Sequence, residues 1–260
     1  MSADGAGPTR TDEQVPKPGP AHARGAQTAE TGGSGSLGVG VAGDHLRIVL
    51  RPVASSAPVA FYAFGAGTIL YSALQLQWLS AQQSKPLAII LLAFVGPLEI
   101  MAGLVAYAAR DAGVATAMLI FGAVWIALGL ELYTSPPGSR STAVGMFMLT
   151  IAAAVLMIGT GAIVARPLLG LLALLATARF ALSGWYELYG GVNVEHASGW
   201  LGIPIIAISL YGGTAFLLEE TMRKQVLPIG RRRGAAAALE GDLSRQIEPV
   251  AREAGVRHLL

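Results

Sequence analysis

From Pro86 to Ala109 the chain reads PLAIILLAFVGPLEIMAGLVAYAA, twenty-four residues whose one charge is Glu99. At about 1.5 Å of helical rise per residue, that length crosses the roughly 30 Å hydrocarbon core of a bilayer. A lipid environment accounts for such a stretch. Near its middle Gly96-Pro97 weaken a helix, and Glu99 follows. A carboxylate at the bilayer centre costs on the order of 3 kcal/mol unless a partner or water receives it.

Five more apolar stretches flank this one: Pro58 to Leu79, Gly113 to Tyr133, Ala143 to Ala165, Pro167 to Leu188 and Gly199 to Leu218. They are separated by polar or proline-containing breaks, among them Ser80 to Lys85, Ser135-Pro136-Pro137-Gly138, Arg166-Pro167 and a polar loop from Gly190 to Ser198. The expected fold is therefore an all-α integral membrane protein with six transmembrane helices over residues 58–220. Composition agrees, because 53% of the 260 residues are hydrophobic and only 13% are charged, against roughly 25% charged in soluble domains. Residues 1–44 are rich in Gly, Ala, Ser, Thr and Pro and are expected to be disordered, since they bury too little to offset chain entropy. Residues 45–57 read as a juxtamembrane segment in which Arg47 and Arg51 face lipid phosphates or form a plain linker. Residues 221–260 read as a charged cytoplasmic tail, with Arg231-Arg232-Arg233 as a topology signal or an anchor for anionic lipid.

Orientation follows from Lys and Arg near the span ends. Arg47, Arg51, Arg110, Arg166, Arg223, Lys224 and Arg231 to Arg233 fall on one side, against Lys85 and Arg140 on the other. Both termini are thus expected in the cytoplasm of a multi-pass plasma-membrane protein. With three spans in each half, any internal repeat would be a 3+3 inverted one; an aromatic-glycine pair recurs as Phe121-Gly122 and Tyr211-Gly212.

Two ionisable residues fall at matching depth, Glu99 in the second span and Arg179 in the fifth. A hydrogen-bonded pair between them would lower the cost of each. Such a pair is either glue between helices or part of a route, with Arg179 attracting an anion and Glu99 carrying a proton. Glu131 and Glu187 sit at span ends where water reaches them, and Glu195-His196 is expected in an exposed loop with no metal site. With no cysteine in the chain, thiolate chemistry and disulfides are excluded. Ser183-Gly184 and Ser198-Gly199 lack the setting of a nucleophile elbow, and no phosphate-cradling loop is present. An enzyme, a cofactor and a nucleic-acid partner are all unsupported. Trp78, Trp185 and Trp200 read as interfacial anchors, while Trp125 is expected to pack between helices.

The ungapped run Gly199-Trp200, Gly202, Tyr211, Glu220 and Val226-Leu227-Pro228-Ile229-Gly230 is similar to the end of the acetate uptake transporter family, the YaaH-like succinate and acetate permeases. The family's GGxxQxxAG is matched at Gly96, Ala102 and Gly103, and Thr116-Ala117, Phe121-Gly122 and Trp125 stand where it has TA, YG and W. Its NPAPLGL motif is reduced to Ala57 and Pro58, with Phe64-Gly65 intact after it. The resemblance spans about Pro58 to Gly230 and marks this chain as a divergent member.

That resemblance implies a homo-oligomer, a hexamer of six-helix protomers, each with its own pore narrowed by Phe, Tyr and Leu. By position these are Phe64, Phe121 in place of the tyrosine, and Leu175. An apolar collar dewets a pore and favours a small solute that sheds water cheaply. It also implies that Glu99 replaces a glutamine and Arg179 an apolar residue, a compensated exchange if they pair. The expected function is a transporter or anion channel for small monocarboxylates, with acetate first among them, passive or proton-linked. The alternatives are a membrane scaffold or sensor with an occluded pore, or passage of succinate or ammonia.

Overall fold

The computed structural model describes residues 53–222 and 224–230. The disordered tail expected over 1–44, most of the juxtamembrane segment and the basic run from Arg231 onward lie outside them. Among the described residues there are six helices long and apolar enough to cross a membrane, and no strand. They are α1 (Ala57–Gln75), α2 (Ala81–Ala108), α3 (Ala112–Thr134), α4 (Thr142–Ala165), α5 (Pro167–Tyr189) and α6 (Val192–Met222). Each satisfies its backbone internally, as a span in lipid must.

The helix ends follow local chemistry. Pro58 and Pro167 occupy first-turn positions of α1 and α5, where a missing N–H costs nothing. Asp111 caps α3 by accepting from the Val114 amide at 3.2 Å, and Ser141 caps α4 from Val144. The same Asp111 receives Arg166 Nη1 at 2.5 Å, tying the start of α3 to the turn between α4 and α5. Gln77 and Arg110 end α1 and α2 in the left-handed region, a common way to release a helix.

Two departures from the sequence expectation have clear causes. α2 is not uniform: it opens on a 3₁₀ turn at Ala81–Gln83 and carries a π turn at Leu91–Val95, immediately before Gly96-Pro97. Proline lacks an amide hydrogen and crowds the preceding turn, so the ladder widens there. α6 begins at Val192 rather than Gly199; Val192 to Ser198 are too polar to register as a span, yet they form its first two turns. Glu195 and His196 are therefore helical and not in a loop.

Around the bundle the packing neighbours run α3, α2, α1, α6, α5, α4, with α4 closing weakly onto α3. Small residues allow the closest approaches. A Cβ on Gly96 would meet the Gly122 carbonyl at 3.2 Å where α2 crosses α3, and one on Gly145 would meet the Gly184 carbonyl at 3.0 Å where α4 crosses α5. Large apolar side chains such as Phe94, Leu104, Met146 and Met157 point outward, the inside-out pattern of a protein solvated by lipid. Trp78, Trp185 and Trp200 are exposed at one end of the bundle, and Trp78 and Trp200 meet edge to face.

Candidate functional site

One face of α1 organises the interior. Ala57, Phe61, Phe64, Thr68, Tyr71 and Gln75 recur at alternating spacings of four and three, so they share a single stripe. Each of them lines one of three cavities. The first, about 410 Å³, lies at the Gln77 end between the ends of α1, α3, α5 and α6, and includes Tyr71, Gln75, Glu131, Ser183, Glu187 and Glu195 in its walls. The second, about 320 Å³, lies at the opposite end, with Ser56, Ala57, Phe61, Asp111, Arg166 and Phe216 around it. Between them is a third of about 20 Å³, which takes in Phe64, Thr68, Tyr71, Trp125, Arg179, Phe180 and Ser183. Tyr71 and Ser183 border both the first and the third.

A cluster of aromatic rings packs at the small cavity. Phe64 and Phe121 are both buried, with centroids 4.7 Å apart and planes inclined at 33°. Phe180 stacks on Phe121 at 6.2 Å, and Trp125 meets Phe64 edge-on at 6.0 Å. Such pairs add about 0.5–1.5 kcal/mol each beyond the area they bury. Leu175 is partly buried against the core but does not border the small cavity; Ala176 and Phe180, one and five residues on, do. Phe64, Phe121 and Phe180 thus meet ring to ring here, and Leu175 packs against the same core.

Toward the Gln77 end of these rings the lining turns polar. Arg179 Nη2 donates to Gln75 Oε1 at 3.0 Å, and Gln75 Nε2 donates to the hydroxyls of Ser183 and Ser198 at 3.1 and 3.2 Å. The two serines are 2.8 Å apart, and Ser198 Oγ returns a bond to the Arg179 carbonyl. The Arg179 guanidinium also sits 5.6 Å from the centre of the Tyr71 ring, within cation–π range. Charge, amide and hydroxyls form one connected unit joining α1, α5 and α6.

Glu99 is wholly buried, but it does not pair with Arg179. Its Oε1 accepts from Trp125 Nε1 at 3.2 Å, and its Oε2 has no partner. The physical reason is azimuth: α2 packs on α1 and α3, whereas α5 packs on α4 and α6, so equal depth does not bring the two side chains together. Each found a local partner instead, Trp125 for the acid and Gln75 for the base.

The remaining motif positions are structural contacts. Pro58 starts α1, Gly65 lies against Ser209, Gly103 against Leu119, and Tyr211 donates its hydroxyl to the Pro228 carbonyl at 2.8 Å. That last bond folds the segment after α6 back under the bundle, where Ile229 becomes buried and borders the second cavity. Gln75, Thr68 and Phe180 line these cavities and are not singled out in the sequence, where Ser183 and Ser198 are considered only as nucleophiles. The available signal was the polar residues Thr68, Ser72 and Gln75 spaced on one face of an otherwise apolar span.

A model of the GPR1/FUN34/yaaH family matches residues 40–229. One solved structure, described as that of the bacterial acetate channel SatP, superposes with a TM-score of 0.61 over 68% of this chain and 99% of that one, at 24% identity. This likeness shows the fold. No curated protein matches the sequence.

Proposed function

The chain belongs to the GPR1/FUN34/yaaH family, and on that premise we propose that it is a transmembrane channel or transporter for small monocarboxylates, with acetate as the representative substrate. The observation that carries this reading is the row of three cavities along one face of α1, interrupted by the Phe64 and Phe121 rings. A solute entering at the Gln77 end meets hydroxyls, an amide and a guanidinium, then an apolar collar it must cross with little water. Only a solute with a small hydration cost and a small apolar part does so readily. The description of SatP as an acetate channel supports the same substrate class.

Three carboxylates, Glu131, Glu187 and Glu195, border the outer cavity. They disfavour a dianion about twice as strongly as a monoanion at equal distance, which supports monocarboxylates over succinate. Passage is passive or proton-linked. The protomer assembles as a hexamer in the plasma membrane by its family likeness, and the Arg110 and Arg166 end is cytoplasmic by its charge.

Labelled acetate in proteoliposomes tests the proposal. Vesicles with protein should equilibrate at least about tenfold faster than empty ones, as a facilitated route demands. Rates equal to those of empty vesicles would refute transport and leave a scaffold with an occluded pore. Repeating the measurement under an imposed membrane potential at equal pH separates the two modes, since a passive anion route carries charge and its flux follows the potential, whereas a one-to-one proton-linked route is electroneutral and does not.

A further inference from the structure

Arg179 is a buried guanidinium with no anion of its own. It is 6% exposed, and among the described residues no carboxylate lies within 4.0 Å of it. Its hydrogen bond to protein is the one from Nη2 to Gln75, whereas a guanidinium carries five donors. Burying a lone charge costs several kcal/mol that neutral partners only partly offset. A cation held this way is incomplete until a negative group joins it.

The surroundings indicate where that group would sit. Thr68 borders the same small cavity, and its hydroxyl is fully buried with no hydrogen-bond partner. Ser72, one turn further along α1, is buried and unpartnered as well. Opposite Ser72, Gly202 lets the side chains approach: a Cβ there would collide with Ser72 Oγ and stand 3.0 Å from Arg179 Nη1, so Ser72 and Arg179 themselves fill that room. The cavity of about 20 Å³ holds one water-sized group, since roughly 10–15 Å³ suffices for a water. Its polar neighbour Ser183 also borders the large outer cavity, so the remainder of a short solute has somewhere to lie.

We propose that Arg179, with Thr68 and Ser183, forms a carboxylate-binding station between the outer cavity and the aromatic collar. It takes the ionised carboxylate of a short monocarboxylic acid. The guanidinium fork matches two carboxylate oxygens in one plane, and the orphan Thr68 hydroxyl supplies a third donor. The solute is therefore held as the anion before it meets Phe64 and Phe121. This station rests on the monocarboxylate reading above and adds the residue that recognises the charge.

Saturation-transfer NMR on the full-length protein in detergent tests it, with acetate as probe at about pH 8, far above the carboxyl range. Wild type should transfer saturation to the acetate methyl in a saturable way, and acetamide, the neutral isostere, should compete poorly. Arg179→Met should weaken apparent binding about tenfold or more, a loss expected for a charge-assisted bidentate contact. Thr68→Val should weaken it about two- to threefold, and Arg179→Lys should keep part of it. If Arg179→Met does not yield a monodisperse protein, the Lys and Val variants decide. No saturable signal in wild type, unchanged affinity in the variants, or equal competition by acetamide would overturn the station. Acetate binding without flux in vesicles would refute the transport reading alone, and flux with binding indifferent to Arg179 would refute the station alone.

Discussion

Glu99 and Arg179 are both buried at similar depth, but their settings differ. Glu99 is packed against Trp125, whose indole satisfies one oxygen, and it lines none of the three cavities described above. Around Arg179 there is an amide, two hydroxyls, an aromatic face and open volume. The first arrangement fixes a ring that buttresses the collar. The second holds a charge in readiness beside a cavity. Burial alone does not mark function; what separates the two is whether the group faces space.

Removing the support on the Arg179 side should produce the larger effect. Gln75→Leu deprives the guanidinium of its acceptor and the two serines of their shared donor, so it should cost about 2–4 kcal/mol and lower the thermal unfolding midpoint in detergent. A variant as stable as wild type would show that Arg179 draws its compensation from elsewhere. On the other side, Glu99→Gln keeps an oxygen facing Trp125 Nε1 and removes no partner, so it should change stability by less than about 1 kcal/mol. Combined with Arg179→Leu in a double-mutant cycle, it should give a coupling below about 0.5 kcal/mol, because the two groups share no contact. A larger coupling would restore the paired arrangement suggested by sequence.

Much of the bundle was legible in the chain. Twenty-residue apolar runs separated by polar or proline-containing breaks, two of them opening on Pro58 and Pro167, specify where the spans lie, because lipid forces each helix to satisfy its own backbone. Phe64 and Phe121 were marked by their family context, and their rings do meet. The failures share one origin. Position along a span gives depth but not azimuth, so Glu99 and Arg179 looked like partners although their helices pack on different neighbours. Polar first turns outside the apolar run, such as Val192 to Ser198, are invisible to hydropathy. The Gln75, Ser183 and Ser198 unit draws on three helices, and no single stretch of sequence displays it.

The central claim is that the solute route follows the α1 face from the Gln77 end past Ser183 to the collar. The chain has no cysteine, so Ser183→Cys introduces a unique thiol on the wall shared by the outer and small cavities. In proteoliposomes, a small anionic, membrane-impermeant thiol reagent added at the Gln77 side should modify that thiol and block acetate flux, and excess acetate should slow the modification. If the thiol reacts from neither side, or reacts fully while flux continues unchanged, the route does not pass Ser183 and the account is wrong.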